Sequence, residues 1–111
     1  MSYDFGMRRP ECPHCKQGGD LPYHKNMTGN VGAMFHKALG GHSITSLNGV
    51  PGWVAESHLR LAAIAMRGAP ETFRAMNPPN GWGSYESALE TIEELWRWCR
   101  EEPTALLVVS Q

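Results

Sequence analysis

The run Asn77-Pro78-Pro79-Asn80-Gly81-Trp82-Gly83-Ser84-Tyr85-Glu86 divides the chain. Its prolines, asparagines and glycines forbid a regular helix or strand. Trp82 and Tyr85 nevertheless give it two large apolar surfaces, so the loop is either a packing corner or a binding edge. Ser84 then serves as an N-cap, and Glu86 complements the N-terminal end of a helix dipole. Beyond it Tyr85, Ala88, Leu89, Ile92, Leu95, Trp96 and Cys99 recur at helical spacing until Pro103, the cleanest amphipathic pattern in the sequence. Glu93 and Arg97 are expected to pair on the far face of that helix. Trp96 lies in the stripe and reads as core. Trp98 lies off it and reads either as an exposed interface anchor or as a ring packed under a loop.

On the N-terminal side of this run, Tyr3, Phe5 and Met7 alternate over residues 2–7, as in a half-buried strand. Pro10 ends it, and residues 21–28 are placed to return antiparallel. Asn30 is a suitable N-cap for a helix over Val31–Leu39, closed by Gly40-Gly41. Residues 41–50 read as a polar loop. A helix is expected over Pro51–Arg67, with Val54, His58, Leu61, Ala62 and Ala65 as its buried stripe, widened by Leu59, Ala63 and Met66. On this pattern it is the most buried helix, and His58 is a hydrogen-bonded core residue. A short helix, Glu71–Met76, is anchored by Phe73. On the C-terminal side, Leu106-Leu107-Val108-Val109 reads as a buried strand beside the first. The fold class is therefore α+β: one domain over residues 1–111, with a small antiparallel or mixed sheet of an N-terminal hairpin and a C-terminal strand, covered by three to four helices.

The chain has 111 residues and a net charge of −1. One hydrophobic core suits that length, and no bulk basic field exists to collect nucleic acid. The absence of a long apolar run leads us to expect no membrane span and a cytoplasmic location. Three cysteines in a reducing compartment do not form a disulfide scaffold.

Cys12-Pro13-His14-Cys15 carries the clearest chemistry and admits three readings. A thiol–disulfide pair needs its first cysteine at a helix N-terminus, but Lys16-Gln17-Gly18-Gly19-Asp20-Leu21-Pro22 cannot sustain a helix. A zinc knuckle uses a tight turn to aim two thiolates at one tetrahedral metal. Further ligands would come from among His14, His24, His36 and Cys99, with His24 on the returning strand best placed. The third reading is an exposed, reduced turn without a metal. No Ser-His-Asp set, phosphate loop or metal-protease spacing is present.

Asn26-x-Thr28-x-Asn30 places three polar side chains on one side of an extended segment. They read as a turn with an N-cap. Joined with Asn77, Asn80, Trp82, Tyr85 and Glu86, they could also wall a small-ligand pocket with amides and aromatic rings.

The run from Ala75 to Leu89, continued by the helix to Cys99 and Pro103, resembles a group of small uncharacterised bacterial and bacteriophage proteins with a similar Asn-Pro-x-Asn-Gly-Trp-Gly-x-Tyr-Glu segment. Asn26-x-Thr28-x-Asn30, followed by Met34, is similar to their upstream segment. The resemblance covers about half the chain and implies a bacterial or phage source and a small single-domain habit. No activity comes with it. The expected function is a small non-enzymatic binding or adaptor protein acting on a host protein, such as a component of a host defence system, with dimerisation of the chain itself also open. A zinc-knuckle module and a small-ligand-binding protein are the alternatives.

Overall fold

The computed structural model describes residues 2–111. β1 (Ser2–Arg9) and β2 (Gly19–Thr28) form the expected antiparallel hairpin, longer than expected at its tip. β3 (Leu106–Ser110) pairs antiparallel with the other edge of β1, so the strand order is β2-β1-β3. The first and last strands are neighbours, as expected, and the fold is α+β.

The alternation in β1 sends Tyr3, Phe5 and Met7 inward and leaves Asp4 and Arg8 outside. Phe35 meets Tyr3 and Phe5 edge-on, with ring centroids 5.8 and 6.4 Å apart. β3 corrects its expected burial on both faces. Leu107 and Val109 are buried, but Leu106 and Val108 are only half-buried, because helices cover one face of the sheet. The outer edge of β3 is not bare. Val109 N–H donates to Asn48 Oδ1 (3.0 Å), Leu107 N–H to the Val50 carbonyl (2.9 Å), and Gly49 N–H to the Leu107 carbonyl (2.7 Å). The 48–50 segment thereby blunts an edge that would otherwise template another strand.

Between β2 and the next helix the cap differs from expectation. Thr28, not Asn30, is the capping residue. Its Oγ1 accepts the Asn30 N–H at 3.3 Å and starts a 3-10 turn, Gly29–Val31, that runs into α1 (Gly32–Ala38). The expected polar loop over 41–50 contains a second 3-10 turn, Ile44–Leu47, whose Ile44 and Leu47 are buried.

α2 (Gly52–Gly68) lies on its expected residues but is rotated about its axis. Its core face is Ala55, Leu59, Ala62, Ala63 and Met66, so the residues expected only to widen the stripe form most of it. Val54 is half-buried, and His58, Leu61 and Ala65 are exposed, so His58 is not a core residue. The error has a physical source. α2 carries apolar side chains around most of its circumference, and periodicity cannot select a face when both sides are apolar.

α3 (Pro70–Arg74) is held by buried Phe73. α4 (Tyr85–Glu101) begins with a reciprocal cap between Ser84 and Ser87, and packs along α2. Among the described residues, no helix is long and apolar enough to cross a membrane.

Candidate functional site

The loop that divides the sequence is a packing corner on one side and an exposed ring on the other. Asn77 Oδ1 accepts the Tyr85 N–H (2.8 Å), and Asn80 Oδ1 accepts the Trp82 N–H (2.9 Å). Both asparagines therefore stabilise the turn itself. The clasp to the upstream segment is Gly83. At its φ of +96°, a Cβ there would stand 2.7 Å from Thr28 Cγ2 and 2.8 Å from Val31 Cγ1. Trp82 points away and is 70% exposed.

The proposed polar and aromatic pocket is not gathered. Asn26 lies on the outer face of the sheet and donates to the Tyr3 carbonyl (3.1 Å) and Asp4 Oδ1 (2.9 Å), which ties β2 to β1. Thr28 is used as a cap, and Asn30 is exposed. Tyr85 is buried on the helix side of the sheet, and its hydroxyl donates to the Met66 carbonyl at 2.8 Å. The sheet therefore separates Asn26 from Tyr85.

The two tryptophans on α4 take different places. Of the two readings of Trp98, an interface anchor or a packed ring, the second holds, against a strand rather than a loop: it is only 3% exposed, and its ring lies 5.4 Å from that of Tyr23. Trp96, read as core, is half-buried at the edge of the helix contact. Its indole N–H donates to Glu56 Oε1 (2.8 Å), and Arg100 lies over its ring. The expected Glu93–Arg97 pair is replaced as well. Glu93 pairs with Arg67 across the α2–α4 contact, while Arg97 lies near Glu94 (3.9 Å) and Glu101 (3.8 Å).

A groove of about 980 Å³ runs along the outer side of α4 towards α3. Its charges largely neutralise one another: Arg67 meets Glu93, and Arg74 donates to Glu86 and Glu71, both at 3.0 Å. Hydrogen bonding within the first turn and to Arg74 holds the Glu86 carboxyl below its ordinary range.

The Cys12–Cys15 turn lies at the tip of the β1–β2 hairpin. Cys12 N–H donates to the Gln17 carbonyl (2.7 Å), and Lys16 N–H returns to the Cys12 carbonyl (2.8 Å). Lys16 takes a positive φ of 61°, uncommon for a residue with a side chain. The backbone N–H groups of Cys15, and next of His14, hold the Cys12 thiol below its ordinary range. Cys99, a candidate fourth ligand, is the opposite case. It is fully buried in α4, and burial, with Glu56 adding to it, pushes its thiol up to about 12.

His24 is not brought to the cysteines. It pairs with Gly6 in the sheet register, and its Nε2 lies 3.7 Å from Asp4 Oδ1. From Gly6 to the end of β1 at Arg9 the chain runs on by roughly 10 Å at ordinary strand rise, before the turn begins. Among the described residues, no group of three or more His, Cys, Asp or Glu side chains is arranged to hold a metal ion.

In metal-free protein, iodoacetamide at neutral pH is expected to alkylate Cys12 well before Cys99, which should react only on unfolding. Peptide mass mapping over time checks this, and early modification of Cys99 in the folded state would contradict its burial.

The surface feature that periodicity concealed is the outer side of α2. Trp53 is 65% exposed, Leu61 59% and Ile64 57%. At helical spacing, Trp53, Ser57, Leu61 and Ile64 fall on one side of α2, opposite Ala55, Ala62 and Met66. From Trp53 to Ile64 this stripe extends roughly 16 Å. Arg60 borders it, and among the described residues no ion pair engages that guanidinium.

No family model, curated protein or solved structure matches this chain.

Proposed function

We propose that the chain is a small non-enzymatic binding protein that docks on another protein through the outer face of α2. Following the loop resemblance, we further propose that it is phage-encoded and that its partner is a host protein, with a component of a host defence system as the candidate class. One observation carries the docking surface. A helix at the surface of a small domain ordinarily turns charge to solvent, whereas α2 turns Trp53, Leu61 and Ile64 outward. Tryptophan is prominent among side chains that anchor protein interfaces. The unpaired Arg60 beside the stripe favours a partner whose apolar groove has an acidic rim.

The test compares capture from bacterial lysate by the wild-type chain and by the triple variant Trp53→Ala, Leu61→Asp, Ile64→Asp. All three positions are exposed, so the variant should fold, with an unchanged far-UV circular dichroism spectrum. The expected result is a protein retained by the wild type whose affinity for the variant falls more than tenfold, since each lost anchor costs about 2 kcal/mol. Equal retention by both chains would overturn the proposal.

A further inference from the structure

We propose that Cys12 and Cys15 are half of a zinc site whose other half comes from a second copy of this chain. One tetrahedral ion would then join two hairpin tips through four thiolates.

The argument starts from ligand number. A structural zinc site is closed by four ligands, normally thiolate or imidazole. The Cys-x-x-Cys turn supplies two, on a backbone already folded back on itself by the Cys12–Gln17 and Lys16–Cys12 hydrogen bonds. Among the described residues, none is placed as a third ligand there. His24 faces Asp4 within the sheet, Cys99 is sealed in the helical core, and His14, although in the same turn, does not converge with the two sulfurs on a metal-binding group. Two missing ligands of the same kind are what an identical turn provides across a two-fold axis.

Shape and charge allow the encounter. β3 pairs with β1 only as far as Arg8, whereas the β1–β2 pairing continues to Arg9 and Gly19, so the 10–18 turn lies beyond the three-stranded part of the sheet. Cys15 is exposed and Cys12 half-exposed. Two tips can therefore approach without the helical layers meeting. Zinc bound by four thiolates carries net negative charge, and Lys16 directly after Cys15 brings one cation per copy.

The test uses the full chain, purified without chelator and under a phosphine reductant, then titrated with zinc. Metal content is read by mass spectrometry, and mass in solution by light scattering. The expected result is saturation at one zinc per two chains, with the molar mass doubling over the same range and reverting on chelation. Cobalt in place of zinc should give the visible bands of a tetrahedral tetrathiolate centre. Cys12→Ser should abolish metal uptake and dimerisation together while leaving the thermal midpoint of the metal-free fold unchanged. One zinc per chain in a monomer would overturn the proposal, because the site would then be closed within the chain. Absence of stoichiometric zinc, or a dimer that persists in Cys12→Ser, would overturn it too.

Discussion

Trp98→Ala is expected to lower the free energy of unfolding by about 4 kcal/mol, while Trp82→Ala should change it by less than about 0.5 kcal/mol. Both are tryptophans, but one is 3% exposed and the other 70%. Trp98 closes the space between α4 and β2. Its ring lies 5.4 Å from Tyr23, whose hydroxyl donates to Glu101 at 3.0 Å, so truncation opens a cavity and loosens the strand from the helix together. A domain of this size has only about 5–15 kcal/mol in total, so Trp98→Ala should fall in thermal midpoint by more than 10 °C. Urea unfolding of both variants beside the wild type measures the pair. Similar losses at the two positions would contradict the orientation given to α4.

Gly52→Ala is expected to cost about 3 kcal/mol, although alanine is normally the better helix former. Gly52 opens α2 where the chain leaves α4. A Cβ there would lie 2.5 Å from the Glu102 carbonyl oxygen, 3.1 Å from that of Cys99 and 3.2 Å from Pro103 Cα. All three are backbone atoms, so no rotamer change relieves the clash. The same corner is held by Gly52 N–H donating to the Ala105 carbonyl (2.7 Å) and Trp53 N–H to the Pro103 carbonyl (3.0 Å). Moving α2 away would sacrifice those bonds. Gly68, at the other end of α2, has nothing within 4 Å of its would-be Cβ. Gly68→Ala should therefore be neutral or stabilising by about 0.5 kcal/mol. Denaturant midpoints of the two variants decide it, and equal effects would remove the close approach from the account. The corner also bears on function, since the contact that seats Gly52 against α4 fixes the direction of Trp53 beside it.

What the sequence reveals depends on how one-sided each segment is. β1 is readable because Tyr3, Phe5 and Met7 alternate with polar or small neighbours. The centre of the α4 stripe is readable because Ala88, Ile92, Leu95 and Cys99 are flanked by glutamates and arginines. Its edges are not. Trp96 and Trp98 flank that stripe on opposite sides, and only the position of Tyr23 decides that the Trp98 side is covered. Thr91 was missed for the same reason. It is fully buried on the Trp98 side of α4, with its hydroxyl satisfied by the Ser87 carbonyl at 2.9 Å. α2 misled more deeply, because a helix apolar on both faces has no periodicity to choose between them. That property is itself a signal, since an outer stripe containing tryptophan calls for an explanation other than the core.

The candidate sites divide in the same way. The turn at Cys12–Cys15 was legible as a turn, because its spacing and proline act locally. The Asn26–Asn30 constellation was not, because its fate depends on which side of the sheet the side chains take and on Asp4, 22 residues distant. Whether Trp82 would be covered or exposed was left open by the sequence; it is exposed, and the clasp beside it is Gly83, whose place against Thr28 and Val31 leaves no room for a Cβ.

Hydroxyl-radical footprinting, read residue by residue by mass spectrometry, tests the central claim most directly. In the free chain Trp53 and Trp82 should oxidise fastest, Trp96 more slowly, and Trp98 least. On addition of the captured partner, Trp53, Leu61 and Ile64 should lose reactivity together while the outer face of the sheet keeps its own. A partner that leaves Trp53 as reactive as before, or that protects the sheet face instead, would contradict the assignment of the α2 outer face as the docking surface.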